Sequence, residues 1–181
     1  FILVTAAFTA YAFVPSALSA HLLAIFSRNG IDPATVILIG ALFGPAQVAA
    51  RVTELTLGGN VHPLTVARLS VTLLVAAFAL LALLGISAPL AAAFALMFGA
   101  ANGLITIARG SLPLALFGAE GYGRTIGRIS GPWLVMQSAA PLIMAIVAEY
   151  TSDGGALAFA AAFAVVALAC FAAIRRPKPA A

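Results

Sequence analysis

Charged side chains are scarce in this sequence: they make up 8% of its 181 residues, against about 25% in a soluble domain. A single cysteine, Cys170, excludes an internal disulfide and a cysteine-based metal cluster. The two histidines, His21 and His62, are expected on opposite sides of a membrane, and no carboxylate stands in the middle of an apolar run. This pattern argues against an intramembrane enzyme, because no acid-base pair or nucleophile-base pair comes together. We therefore expect neither catalysis nor a metal or organic cofactor.

Apolar residues are correspondingly abundant, at 64% of the chain with a mean hydropathy of +1.15. They form six continuous runs without the alternation of barrel strands, and each is long enough for a membrane-spanning helix of about 20 residues. The runs predict an all-α membrane protein, embedded in the lipid bilayer as one six-helix bundle, with almost nothing left for a soluble domain. The predicted spans A to F cover about 2–26, 35–57, 65–85, 88–110, 125–148 and 154–174.

Basic residues are distributed unequally between alternate connections. Arg28 alone falls on one side, whereas the other side holds Arg51, Arg68, Arg109, Arg124, Arg128, Arg175, Arg176 and Lys178. The positive-inside rule then places the B–C and D–E connections and the C-terminus in the cytoplasm. We expect a multi-pass protein of a bacterial inner membrane. Because the basic residues stand at helix ends and not along one face, nucleic acid is not an expected partner.

Polar and small residues separate the spans into two kinds. Spans A, B, D and E carry polar side chains within the apolar run, which favours positions inside a bundle, whereas C and F read as lipid-facing. Glycines at four-residue spacing, which let helix backbones approach closely, fall in the same inner spans. They are Gly40 and Gly44 in B, Gly99 and Gly103 in D, and Gly123, Gly127 and Gly131 in E.

The six spans also suggest an internal repeat. A displacement of 87 residues brings Gly44-Pro45 of span B onto Gly131-Pro132 of span E, and Pro15 of span A onto Asn102 of span D. Inverted repeats with interrupted helices are typical of secondary transporters, whose binding sites lie near the bilayer midplane. We predict a 3+3 inverted repeat, with Gly44-Pro45 bending a helix that lines a cavity.

Three segments resemble known sequences. SALSAHLLAIFSRNGIDPATVILIGALFGPAQVAARV, GAANGLITIARGSLPLALFG and GYGRTIGRISGP are similar to helices seven, eight, ten and eleven of bacterial members of the major facilitator superfamily, near its monocarboxylate-transporter-like branch. The resemblance extends over the whole chain and implies the C-terminal half of a twelve-helix transporter. Because Phe1 is not a Met and already lies in an apolar run, we expect a fragment whose missing partner is the N-terminal six-helix half.

The resemblance implies a function and a gate. The function would be secondary active transport of a small solute by alternating access, with an organic anion such as a monocarboxylate, or an efflux substrate, as candidate solutes. In the superfamily's cytoplasmic loop motif, Arg51 matches the arginine and Glu54 stands for the aspartate, while Leu55 and Leu57 depart from it. The motif implies a cytoplasmic latch, to which Arg124 and Arg128 are added. The alternative is that the three arginines only hold the loops on the cytoplasmic side, with Glu54 as a solvated acid beside them.

Six residues are predicted to line the substrate pathway: Asn102, Arg109, His21, Tyr11, Gln47 and Gln137. Asn102 stands near mid-membrane, where it would contact a polar substrate or form an interhelical hydrogen bond to A or E. Arg109 would attract anions or extend to the cytoplasmic surface. His21 would accept a coupling proton, since no carboxylate lies mid-span, or pack as a neutral side chain. Trp133 reads as a packing residue. The alternative function is a self-contained six-helix channel or structural membrane protein acting as a homodimer.

Overall fold

The computed structural model describes residues 1–59 and 61–175, and these residues fold into helices joined by short connections. Arg176 and Lys178, two of the basic residues counted above, lie outside the described residues. The helices are α1 (Ile2–Arg28), α2 (Pro33–Ala41), α3 (Phe43–Leu57), α4 (Pro63–Leu84), α5 (Ala88–Phe117), α6 (Tyr122–Tyr150) and α7 (Asp153–Ala173).

Six of the helical segments are long and apolar enough to cross a membrane, with α2 and α3 together forming one of them. The predicted all-α class and number of spans are therefore confirmed, and they fit a multi-pass integral membrane protein. One boundary was wrong by a wide margin. Span D was predicted to end near residue 110, but α5 continues to Phe117, because Leu112 and Pro113 are buried and hold the extra turns against the bundle.

The second span is broken into α2 and α3 at Leu42, close to the Gly44-Pro45 dipeptide that was expected to bend it. Pro45 has no backbone N–H, so the carbonyl of Ala41 loses its usual helical donor four residues later. The Leu42 N–H bonds instead to the carbonyl of Ile39 at 3.1 Å, a tighter turn that ends α2. The sequence therefore places a helix interruption inside an apolar span.

The helices pair across the middle of the chain. Helix α1 packs mainly against α6 and α7, whereas α5 packs mainly against α3 and α4, and α4 also contacts α7. Spans A to C and spans D to F form two groups of three. The first helix of each group, α1 or α5, therefore has its principal neighbours in the other group. Helix α1 is the most buried span, and α4 and α5 follow it equally. Helices α1 and α5 supply most of the large buried side chains, including Phe13, Phe26 and Phe94.

Polar contacts between helices stabilise both ends of the bundle. At one end, the Arg28 guanidinium donates to the Asp153 carboxylate at 2.6 Å, and the Asn29 amide donates to the same carboxylate. At the other end, Arg68 at the start of α4 donates to the carbonyls of Phe171, Ala172 and Ile174. We call this second end the arginine-rich end; it also holds Arg51, Arg109, Arg124, Arg128 and Arg175.

Glycines allow α3 and α5 to pack closely, as the spacing in span D predicted. A β-carbon on Gly99 would lie 2.7 Å from the carbonyl oxygen of Phe43, and one on Gly103 would lie still closer to that of Gln47. The glycines of span E behave differently. No neighbour in the described chain comes within 4 Å of a β-carbon built on Gly123, Gly127 or Gly131.

Two helices are left largely uncovered by the described chain. Only 11% of the most apolar window is buried in the second span and in α6, against 44% in α4 and 33% in α7. Their uncovered faces carry large apolar side chains: Val48, Val52 and Leu55 on α3, and Leu134, Val135 and Leu142 on α6. The described residues therefore do not enclose spans B and E, which were predicted to lie inside the bundle, and enclosing them would require a covering partner.

Candidate functional site: a central cavity and the polar residues beside it

A cavity of about 470 Å³ lies between α1, the broken second span and α5. Its volume falls in the range of small-molecule sites, roughly 300–1,000 Å³. Most of its wall is apolar, and polar groups enter from three helices. The lining residues used below are Pro15 and Ser19 of α1, Phe43 and Gln47 of α3, and Phe98 and Asn102 of α5. We refer to this space as the central cavity.

Asn102 occupies the centre of its helix, as the fifteenth of the 30 residues of α5. Its side-chain oxygen accepts a hydrogen bond from the Tyr11 hydroxyl at 3.2 Å, and its amide nitrogen donates to the carbonyl of Phe98 at 3.0 Å. The interhelical bond to span A is therefore formed. Asn102 lines the central cavity as well, so its second amide hydrogen remains available to a ligand.

Gln47 is the second polar side chain of the central cavity. It lies on α3 directly after the break, and within the described chain its side-chain amide makes no hydrogen bond. A primary amide has two donor hydrogens and an acceptor oxygen, so Gln47 offers hydrogen-bonding capacity that the fold does not use.

Tyr11 is buried and serves to tie α1 to α5. Replacing it with phenylalanine should lower the free energy of unfolding by about 0.5–1.5 kcal/mol, since interhelical hydrogen bonds in membranes contribute amounts of this size. Reversible unfolding of the reconstituted protein would measure the change. Tyr150→Phe is the matched control, because Tyr150 is 80% exposed. Equal stabilities for the two variants would contradict the Tyr11 assignment.

Polar residues continue from the central cavity toward the arginine-rich end. Thr106 lies one turn beyond Asn102, and its hydroxyl accepts from the Arg51 guanidinium at 3.2 Å. Arg109 follows three residues later and places its guanidinium 3.7 Å above the ring of Trp133 on α6. Trp133, predicted to be a packing residue, packs against Arg109 as its cation-π partner. Thr106 was recognised as a polar residue of span D but was not among the predicted site residues, although its spacing places it on the helix face of Asn102 and Arg109.

The predicted gate residues are not paired with one another. Arg51 reaches α5 instead of Glu54, and its Nε is buried without an acceptor in the described chain. Glu54 lines a separate recess of about 330 Å³, to which Thr65 and Val66 in the first turn of α4 also contribute. Arg124 and Arg128 are exposed, and neither has a carboxylate partner among the described residues.

Two predicted pathway residues lie apart from the central cavity. His21 is partly exposed on α1 and does not line the cavity, although Leu18, Ser19 and Leu22 around it do. The Gln137 side chain is exposed on α6, and only its backbone carbonyl makes a contact, accepting from the Ser16 hydroxyl at 2.5 Å. These two residues therefore do not form one site with Asn102, Gln47 and Tyr11.

A larger groove of about 600 Å³ lies between α1, α6 and α7. Apolar groups form nearly all of its wall, with the exposed Arg128 at one edge and the Thr5 and Thr9 side chains on α1. The hydroxyl of Thr9 is buried and has no hydrogen-bond partner in the described chain. Polar groups do not converge in this groove, so the smaller central cavity is the better candidate site.

No metal site accompanies the cavity: within residues 1–59 and 61–175, no three histidine, cysteine or carboxylate side chains come close enough to hold an ion. Comparison with known proteins adds no assignment, because no protein-family model and no curated protein matches this sequence. The chemistry of the cavity is thus hydrogen bonding from amides and hydroxyls at mid-helix, with two arginines toward one end.

Proposed function

We propose that this chain is a six-helix half of a secondary active transporter of the major facilitator type, which moves a small solute across a membrane by alternating access. The central cavity is the observation that carries the proposal. It lies beside a broken helix and opposite the midpoint of α5, which is where secondary transporters bind their substrates. Asn102 and Gln47 are its polar contacts for the solute.

The pairing of the helices supports the same proposal. Helix α1 relates to α6 and α7 as α5 relates to α3 and α4, which is the arrangement expected of a 3+3 repeat. The uncovered apolar faces of α3 and α6 are surfaces that a second six-helix bundle would bury. We propose the N-terminal half of the same transporter as that bundle, with the arginine-rich end in the cytoplasm of a bacterial cell.

Transport by the complete natural protein in vesicles tests the proposal. We expect uptake or efflux of a member of a panel of small solutes, including monocarboxylates, with dependence on a pH gradient reporting proton coupling. Gln47→Ala should weaken transport about tenfold through the apparent affinity, the effect of one lost hydrogen bond of about 1.4 kcal/mol. Because the fold does not use the Gln47 side chain, the amount of folded protein should not change.

Two controls accompany that variant. Asn102→Ala should reduce transport at least as much, and comparison with Tyr11→Phe separates the contact with solute from the bond to α1. Ser138→Ala should transport normally, because Ser138 is exposed and bonds only within its own helix. Normal transport of every solute by Gln47→Ala and Asn102→Ala would refute the cavity assignment.

A homodimeric channel is the second candidate, and the same uncovered faces favour it. A second copy of the chain would then cover α3 and α6. Cross-linking between single cysteines on these faces, in the natural protein with Cys170 replaced, distinguishes the two. Cross-links between identical copies, together with passive flux and no accumulation against a gradient, would support the channel.

A further inference from the structure

The groove between α1, α6 and α7 is open to its surroundings and almost entirely apolar. Its volume is about 600 Å³, and Ile2 and Val166 on its walls are 81% and 51% exposed. Met136 and Phe163 line the same groove and are partly buried. A concave apolar surface of this size marks a binding site for another molecule.

A positive charge lies at the edge of this groove. Arg128 contributes to its wall, and Arg124 precedes Arg128 by one helical turn, so the two side chains are neighbours on the surface of α6. Both are exposed, and the described residues provide neither with a carboxylate partner. Like charges four residues apart repel each other, and a bound anion would relieve that repulsion. The edge of the groove is therefore suited to an anionic group.

The position of Arg128 along its helix matches the level of a lipid headgroup. Arg128 is the seventh residue of α6 and lies about 9 Å along the axis from Tyr122, where the helix begins at the arginine-rich end. A long arginine side chain carries its charge from such a position to the membrane surface. Pro132 and Met136 continue the groove wall from Arg128, one turn at a time, into the apolar span. A charge at the surface with an apolar channel beneath it matches a phosphate joined to an acyl chain.

The walls of the groove favour a lipid over a second helix bundle as its occupant. Helix α7 forms one wall through Phe163 and Val166, and the centre of its span has nothing more polar than Cys170. A helix of this composition is suited to face lipid. On α6, Leu134 and Leu142 are exposed on the side proposed to meet a second bundle, and they do not line the groove. The groove is therefore distinct from that interface and borders the lipid-facing side of the bundle.

We infer that this groove binds an anionic phospholipid, with an acyl chain along the groove and the phosphate on Arg128. The inference goes beyond the proposed transport function and requires only that the chain lies in a membrane. Basic pockets between transmembrane helices on the cytoplasmic side bind anionic headgroups, and a guanidinium donates a fork of N–H groups to phosphate oxygens. A zwitterionic lipid carries its own cation beside the phosphate, so it is held less tightly. Arg124, one turn nearer the start of α6, adds to the attraction.

Thermal unfolding of the complete natural protein, freed of lipid in a neutral detergent, tests the site. The probes are dioleoyl phosphatidylglycerol, which is anionic, dioleoyl phosphatidylcholine, which has the same chains and no net charge, and glycerol 3-phosphate, which has no chain. A ligand that binds the folded protein raises its unfolding midpoint as its concentration rises. We expect phosphatidylglycerol to raise the midpoint at concentrations where the other two probes have little effect.

Paired variants test the headgroup and the acyl chain separately. Arg128→Gln should weaken phosphatidylglycerol binding about fivefold, the contribution of one arginine near an anionic membrane surface. Arg175→Gln is its control, because Arg175 is exposed at the same end and does not line the groove. Ala162→Phe should obstruct the groove and weaken binding without a change in charge, because Ala162 is exposed on its wall. Ala158→Phe is the matched control, since Ala158 is also exposed on α7 but lines a separate recess against α4.

A photoreactive phosphatidylglycerol with a diazirine in its acyl chain locates the bound lipid. We expect labelled peptides to include Met136 or Phe163 inside the groove, and Ala162→Phe to reduce that labelling. The unfolding midpoint of each variant without lipid shows whether the fold is intact, so a loss of binding is not confused with a loss of structure.

Several results would overturn the lipid site. Equal responses to the two phospholipids would show no preference for the anion, and an equal response to glycerol 3-phosphate would show that the acyl chain contributes nothing. Binding unchanged in both Arg128→Gln and Ala162→Phe, or labelling only elsewhere, would place the lipid on another surface. Absence of binding, as expected if a second bundle or a second copy covers the groove, would also refute the site. Transport is measured separately, so lipid binding and the proposed transport function can fail independently.

Discussion

Gly103→Val is expected to prevent the native packing of α3 on α5. A β-carbon at this position would collide with the backbone carbonyl oxygen of Gln47 and would also meet the Ala50 side chain at 3.1 Å. A backbone atom cannot move aside as a flexible side chain can, so the two helices would have to separate. Overpacking typically costs 1–3 kcal/mol, and we expect about 3 kcal/mol or more here. Unfolding in mixed micelles would measure the loss.

The same helix provides a control for Gly103. Gly110 has open space around its α-carbon, and Gly110→Ala should be neutral or slightly stabilising, because alanine has the higher helix propensity. Gly103→Ala should fall between this control and the valine variant. If the Gly103 and Gly110 variants unfold alike, the close contact between α3 and α5 is not present in the folded protein.

Arg68→Ala is expected to produce the second large loss of stability. The guanidinium donates to three carbonyls at the end of α7, at distances of 2.7–3.0 Å. The last carbonyls of a helix have no intrahelical donor, so the substitution removes their charged partner and leaves them unsatisfied. We expect a decrease of about 2–4 kcal/mol in the free energy of unfolding, and faster hydrogen exchange near the end of α7.

Two further variants show whether this loss comes from the hydrogen bonds. Arg68→Lys retains the charge but not the fork of donors, so its stability should be intermediate. Arg124→Ala removes an exposed arginine without a carboxylate partner in the described chain and should change stability by less than about 0.5 kcal/mol. Wild-type stability in Arg68→Ala would show that the contact with α7 contributes nothing.

The number and class of the helices could be predicted from the sequence because long apolar runs leave the backbone few alternatives in a bilayer. The length of α5 could not. Arg109 and Gly110 resemble a helix end, and only the burial of the following residues in the bundle continues the helix. The break at Leu42 was predicted approximately, because Pro45 removes a backbone donor wherever it stands.

The candidate site could be predicted only in part, for a related reason. The rise of the helix per residue predicted Asn102 near mid-membrane, and the hydrogen bond to span A that was one alternative for its side chain is present. The rise does not identify the helix that lies opposite. The bonds from Tyr11 to Asn102 and from Arg51 to Thr106 cross large distances in the sequence. His21 and Gln137 do not line the cavity, although both stand within apolar spans. A position within an apolar span therefore did not indicate which neighbour the side chain would face.

The pairing of α1 with α6 has a consequence for the order of folding. Tyr122, where α6 begins, follows the end of α1 by 94 residues. At a synthesis rate of roughly 5–20 residues per second, α1 waits on the order of 5–20 s for this partner. Tyr11 has no interhelical acceptor until Asn102 of α5 has been synthesised, and until then the polar residues of α1 face lipid or the insertion machinery. Assembly of the bundle is therefore a late, long-range event, and the waiting α1 is the segment most dependent on assisted insertion.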